Sequence, residues 1–78
     1  MYEIREKVEI ILKAYIMDYS SDMVDDELKD MTDVDSLVIF NILVDIEDCF
    51  DMKIGDDENL EDIFKTPKTI IQYVNDRL

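Results

Sequence analysis

Residues 32–50 read TDVDSLVIFNILVDIEDCF. An acidic stretch ends at Asp35, and from Ser36 onward large apolar residues return every three or four positions. That spacing predicts a helix over 36–50. It also raises a question about Asp35-Ser36-Leu37, at the junction of loop and helix. The chain contains no histidine, so no histidine base is at hand to activate Ser36 as a nucleophile. Two readings stay open at this point. Ser36 is an ordinary N-cap, accepting a hydrogen bond from a backbone N–H one turn on. Or it is an attachment point, at a helix N-terminus whose free N–H groups and dipole favour a phosphate.

Outward from this helix, the pattern is helical throughout. Ile4, Val8, Ile11, Leu12 and Tyr15 recur at helical spacing and predict a first helix over residues 2–18, with Glu3, Arg5, Glu6, Lys7, Glu9 and Lys13 mostly on its polar side. Residues 20–35 are loop-like and rich in aspartate. Met23, Val24, Leu28 and Met31 are apolar anchors within them, so a packed connection containing a short helical turn is expected. After DMKIGDDEN, a short helix is expected around residues 60–64. Thr66-Pro67 then starts a last helix, with threonine as N-cap and proline at the first helical position. Ile70, Ile71, Val74 and Leu78 supply its apolar side. One glycine and one proline in 78 residues argue against many tight hairpins. The expected fold is all-α: a single domain over 1–78, a small bundle of three main helices plus a short one, with a long loop between helices I and II.

Composition narrows the function. Twenty-one acidic residues against eight basic ones give a net charge of −13. That disfavours nucleic acid and anionic membranes as partners and favours partners with basic surfaces, approached under electrostatic steering. It also favours a monomer. Cys49 is alone and makes no internal disulfide. The opening MYEIREKVEI lacks the continuous apolar core of a signal peptide, and no apolar run approaches the ~20 residues that span a bilayer. A cytoplasmic location is the expectation. Zinc lacks its cysteine and histidine clusters. DDENLED offers oxygen ligands, but aligning Gly55 with the glycine of a calcium loop puts Phe50 at the first ligand position. No set of nucleophile, base and orienting group can be named for an enzyme.

At about 100° per residue, Ile39, Ile42, Leu43, Ile46, Cys49 and Phe50 share one sector of helix II, expected to face the core. Leu37, Phe40 and Val44 fall nearly opposite, joined by Glu47. A wide core or an overlying loop would account for them. So would a docking stripe flanked by Asn41, Asp45, Glu47 and Asp48, since apolar anchors with a charged rim are how a helix seats in a partner's groove.

These residues resemble an acyl carrier protein. Asp35-Ser36-Leu37 is similar to that family's Asp-Ser-Leu attachment motif and opens the second helix as it does there. LVDIEDCFDMKI is similar to the family's apolar–acidic–Phe–x–x–Ile pattern. Length, helix order, the long acidic loop and the Thr66-Pro67 start extend the likeness over nearly the whole chain. The resemblance implies 4′-phosphopantetheine on Ser36, donated by coenzyme A through a magnesium-using phosphopantetheinyl transferase, with the cargo held as a thioester. It implies that Asp35, Leu37, Phe40, Val44 and Glu47 meet the transferase and the enzymes that load or use the cargo. It implies no catalysis by the chain itself. Three positions depart from the family pattern: Asp33 where a glycine is usual, Val38 where an acidic or polar residue is frequent, and Gly55 where many members have proline. The pathway therefore stays open between fatty-acid, polyketide and D-alanyl or other aminoacyl carriers, as does an unmodified acidic adaptor that uses the same stripe.

Overall fold

The computed structural model describes residues 2–31, 34–55 and 59–78. Four α-helices follow one another: α1 (Tyr2–Tyr15), α2 (Ser36–Phe50), the short α3 (Leu60–Ile63) and α4 (Pro67–Arg77). No strand occurs among the described residues, and the chain is the expected small helical bundle. α1 packs against both α2 and α4, and α3 packs against α4. The radius of gyration is 11.3 Å, close to the ~11.5 Å of a well-packed chain of this length.

The core is a set of apolar stripes turned toward each other. Val8 and Leu12 come from α1, Ile42, Leu43 and Ile46 from α2, and Ile70, Ile71 and Val74 from α4. Ile63 and Phe64 close it at α3, and Ile54 reaches in from the loop after α2. Most of these side chains recur at steps of three or four, so one face of each main helix is removed from water.

α1 stops at Tyr15, three residues before the expected end. The N–H of Ile16 still donates to the Leu12 carbonyl at 2.8 Å, and that of Tyr19 turns back to the Ile16 carbonyl at 3.1 Å. The turn buries both Ile16 and Tyr19. The long connection holds two 3₁₀ turns, Ser21–Met23 and Leu28–Asp30, where one short turn was expected. Its anchors reach the core: Leu28 and Met31 are buried, while Met23 and Val24 pack at its margin. Two backbone bonds tie it to the far end of the chain. Leu28 N–H donates to the Lys65 carbonyl at 2.8 Å, and Lys68 N–H to the Val24 carbonyl at 3.0 Å. Lys68 lies in the first turn of α4, where an N–H has no partner within the helix, so the loop satisfies it.

The start of α4 follows the sequence closely. Thr66 Oγ1 accepts from the Thr69 N–H at 3.1 Å, and Thr66 N–H donates to Thr69 Oγ1 at 3.0 Å. Thr69 fills the reciprocal role that glutamate or glutamine takes in a capping box. Its hydroxyl also donates to the Ile63 carbonyl at 2.8 Å, which fixes α3 against α4. α2 ends at Asp51, in left-handed backbone conformation with φ 52° and ψ 53°. Aspartate tolerates this geometry better than most residues with a Cβ. Gly55 has no positive φ, so its freedom is not what this turn uses.

One charged side chain is built into the interior. Glu9, expected on the polar side of α1, is only 8% exposed. Tyr19 Oη donates to its Oε2 at 2.9 Å and Arg5 Nε to its Oε1 at 3.1 Å. A buried carboxylate needs such partners. Burial pushes its carboxyl up, but the bonds from Tyr19 and Arg5 and the nearby guanidinium charge outweigh that and hold it below the ordinary carboxylate value.

Candidate functional site

The N-terminus of α2 does not use Ser36 as its cap. Asp35 is the N-cap: its backbone is extended, and its Oδ1 accepts from the Val38 N–H at 2.9 Å. Ser36 is the first residue of the helix proper. The correction has a geometric reason. A capping side chain must precede the helical turn to reach back over its N–H groups, and Asp35 holds that place. Ser36 is exposed, and its hydroxyl has no hydrogen-bond partner among the described residues. The N–H groups of Ser36 and Leu37 likewise find no acceptor among them. The first turn carries no acidic side chain, and among the described residues Asp35 is the acid that caps the positive end of the helix beside the serine. Asp33 lies outside the described residues, as do Asp56, Asp57 and Glu58 of the DDENLED stretch.

The outward face of α2 is narrower than the wheel implied. Leu37 and Phe40 stand in solvent, 66% and 59% exposed. Val44 is half-buried and packs at the edge of the core, as do Val38, Ile39 and Phe50. Asn41 is half-buried. Two of the expected rim acids have internal partners. Tyr15 Oη donates to Asp45 Oδ2 at 2.6 Å, and this bond raises the tyrosine's pKa above its usual value. Glu47 Oε2 accepts from the Ile54 N–H at 2.8 Å. Asp48 remains exposed. Cys49, placed with the core from the wheel, is exposed. It sits about 60° round from Ile46, at the margin of the buried sector in the last turn.

What the structure brings together is therefore Ser36, Leu37 and Phe40 on one open surface, with Asp35 beside them. A shallow groove of about 500 Å³ lies alongside, with Ile39, Leu60 and Phe64 among its apolar lining and Lys29, Glu61 and Lys65 among its charges. Ile39 is three residues beyond Ser36, so groove and serine share the same end of α2. Among the described residues no group of three or more His, Cys, Asp or Glu side chains could hold a metal ion, and no helix is long and apolar enough to cross a membrane. The residues that sequence reasoning missed are structural ones. Glu9 had no signal in the periodicity, because its partner Tyr19 comes from beyond the helix. No family model matches the chain, and neither the curated proteins nor the solved structures contain a match to it.

Proposed function

We propose that the protein is a freestanding carrier that bears 4′-phosphopantetheine on Ser36 and has no chemistry of its own. One observation carries this reading: Asp35 does the capping, so the Ser36 hydroxyl stands exposed and unengaged at the start of α2. A structural serine would have been used up by the N–H it caps. An attachment serine must offer its oxygen to another enzyme's active site. In the transfer, Ser36 Oγ bonds to the phosphorus that carries pantetheine, the pyrophosphate bridge of coenzyme A breaks, and adenosine bisphosphate departs. The serine proton passes to a base of the transferase. The phosphodiester then lies against the free N–H groups of the first turn of α2.

Function follows from tethering. A flexible arm makes the second encounter, of cargo with enzyme, effectively intramolecular. Leu37 and Phe40, with Asp35 at the same end of α2 and Asp48 about 12 Å further along the helix, provide apolar and acidic groups for exchangeable docking on basic partner surfaces. The cargo is an acyl or aminoacyl thioester, and the work belongs where coenzyme A is made and used, in the cytoplasm. Incubation with coenzyme A, magnesium and a broad-range phosphopantetheinyl transferase should add one phosphopantetheinyl group by intact mass. Ser36→Ala should abolish the addition, and modification that persists in that variant sinks the proposal.

A second reading rests on the same exposed pair, Leu37 and Phe40: an acidic adaptor that docks through them and is never modified. The two separate cleanly. The adaptor keeps its partner binding in Ser36→Ala and loses it in Phe40→Ala.

A further inference from the structure

α1 carries a second solvent-facing seam that the carrier reading leaves unused. Glu3, Glu6, Ile10, Lys13 and Met17 follow one another at alternating steps of three and four residues, the spacing that keeps side chains on one stripe of a helix. All five are exposed; Ile10 is 61% exposed and Met17, just past the helix end, 93%. A lone exposed isoleucine needs no explanation. This one sits midway along an ordered run of charges, beside a groove of about 440 Å³ bordered by Arg5, Glu6 and Lys13.

Charge decides what fits there. α1 holds three acidic and three basic residues, while the whole chain carries −13. It is a neutral face of a strongly acidic molecule, so two copies repel each other less there than across α2, whose Asp45, Glu47 and Asp48 have no basic residue beside them in the helix. Along the seam the signs are ordered, with Glu3 and Glu6 toward the N-terminus and Lys13 toward the C-terminus. Neither Glu6 nor Lys13 has an ion-pair partner among the described residues. Seven residues separate them, about 10 Å along the helix axis, with Ile10 between. A two-fold axis crossing α1 midway between them would set Glu6 of each copy opposite Lys13 of the other and bring the two Ile10 side chains together. A face that pairs with itself in this way is what an isologous contact requires.

We propose that this face binds a second copy of the chain, as an antiparallel pair of α1 helices held by Ile10 and two reciprocal Glu6–Lys13 bridges. The contact is small, so the pair is weak and exchanges readily. Ser36, Leu37 and Phe40 lie on a different helix and play no part in it, and the proposal does not depend on Ser36 being modified.

Sedimentation of the full chain from micromolar to millimolar concentration tests it. The average mass should rise toward that of a dimer. Ile10→Asp and Lys13→Glu should each weaken association at least tenfold, with helicity by circular dichroism unchanged. The double exchange Glu6→Lys with Lys13→Glu recreates both bridges with their signs swapped, and should restore association. Phe40→Asp should leave it unaltered. A monomer at every concentration overturns the proposal. So does association that is lost in Phe40→Asp and kept in Ile10→Asp, or a well-folded double exchange that fails to recover.

Discussion

The two ends of α2 differ in what their outward side chains hold. At the N-terminal end, the side chains of Ser36, Leu37 and Phe40 face solvent and make no hydrogen bond or ion pair among the described residues. At the C-terminal end, Asp45 is held by Tyr15 and Glu47 by the backbone of Ile54, while Asp51 adopts a left-handed turn that lets Met52 N–H reach the Glu47 carbonyl at 3.0 Å. The acids at the C-terminal end fasten neighbouring segments onto the helix. The side chains of Ser36, Leu37 and Phe40 at the N-terminal end fasten no other segment among the described residues. An acidic or apolar position on the outer side of a helix is informative about function only after its internal partners have been counted.

This contrast can be broken in several ways, beginning with the largest effect. Ser36→Ala should remove phosphopantetheinylation completely while moving stability by no more than about 0.5 kcal/mol, the usual range for an exposed substitution. Intact mass and a urea melt on the same sample check both halves. A large loss of stability would mean that Ser36 is structural after all. Next, Glu47→Ala should cost about 1–3 kcal/mol, because it strands the N–H of Ile54 beside a buried side chain. Phe40→Ala should cost far less. Equal costs in urea unfolding would erase the distinction between the two ends. Asp35→Ala should cost about 1 kcal/mol through loss of the cap, and it tests the assignment of capping to Asp35.

A pH series extends the comparison to α1, where Glu9 is enclosed and Glu3 and Glu6 are free. The carboxyl of Glu9 is held below its ordinary value in the folded chain. Its contribution is therefore present above the unfolded pKa, near 4.5, and lost as pH falls through the folded one. Tyr19 runs the other way: burial first, then the bond to Glu9, push its pKa upward. Its contribution is complete below the unfolded value of about 10 and declines as pH rises above that. Urea midpoints measured against pH should show a shallower acid limb in Glu9→Gln and a shallower alkaline limb in Tyr19→Phe. The smallest effect is expected at the end of α2. Asp51→Gly should stabilise the chain by up to ~1 kcal/mol, by removing the Cβ from a left-handed position. A loss of stability there would show that the aspartate side chain has a partner of its own.

Much of this was legible in the sequence, and what was missed shares one cause. The bounds of α2, the Thr66-Pro67 start of α4 and the anchors Leu28 and Met31 follow from spacing and local capping chemistry, which act over a few residues. Spacing alone puts Glu9 on the surface, because its enclosure depends on Tyr19, ten positions away and past the end of the helix. It makes Asp45 and Glu47 rim charges, because their partners, Tyr15 and the Ile54 N–H, are brought to them by packing. It puts Cys49 inside, because a wheel marks a sector without saying how far its neighbours reach. The choice of Asp35 over Ser36 as the cap lies at the limit of sequence reading, since both types cap well and one residue of register decides between them.

By itself, the sequence determined an all-helical chain, the position of each main helix, the acidic balance, and a serine at the head of the second helix in a chain without histidine. These are consequences of side-chain period, local hydrogen bonding and charge. Only the tertiary structure decided which polar groups are spent on the fold and which are left for others. That depends on where segments distant in sequence come to lie, and it leaves the Ser36 hydroxyl exposed, with no partner among the described residues, beside an aspartate that caps the helix.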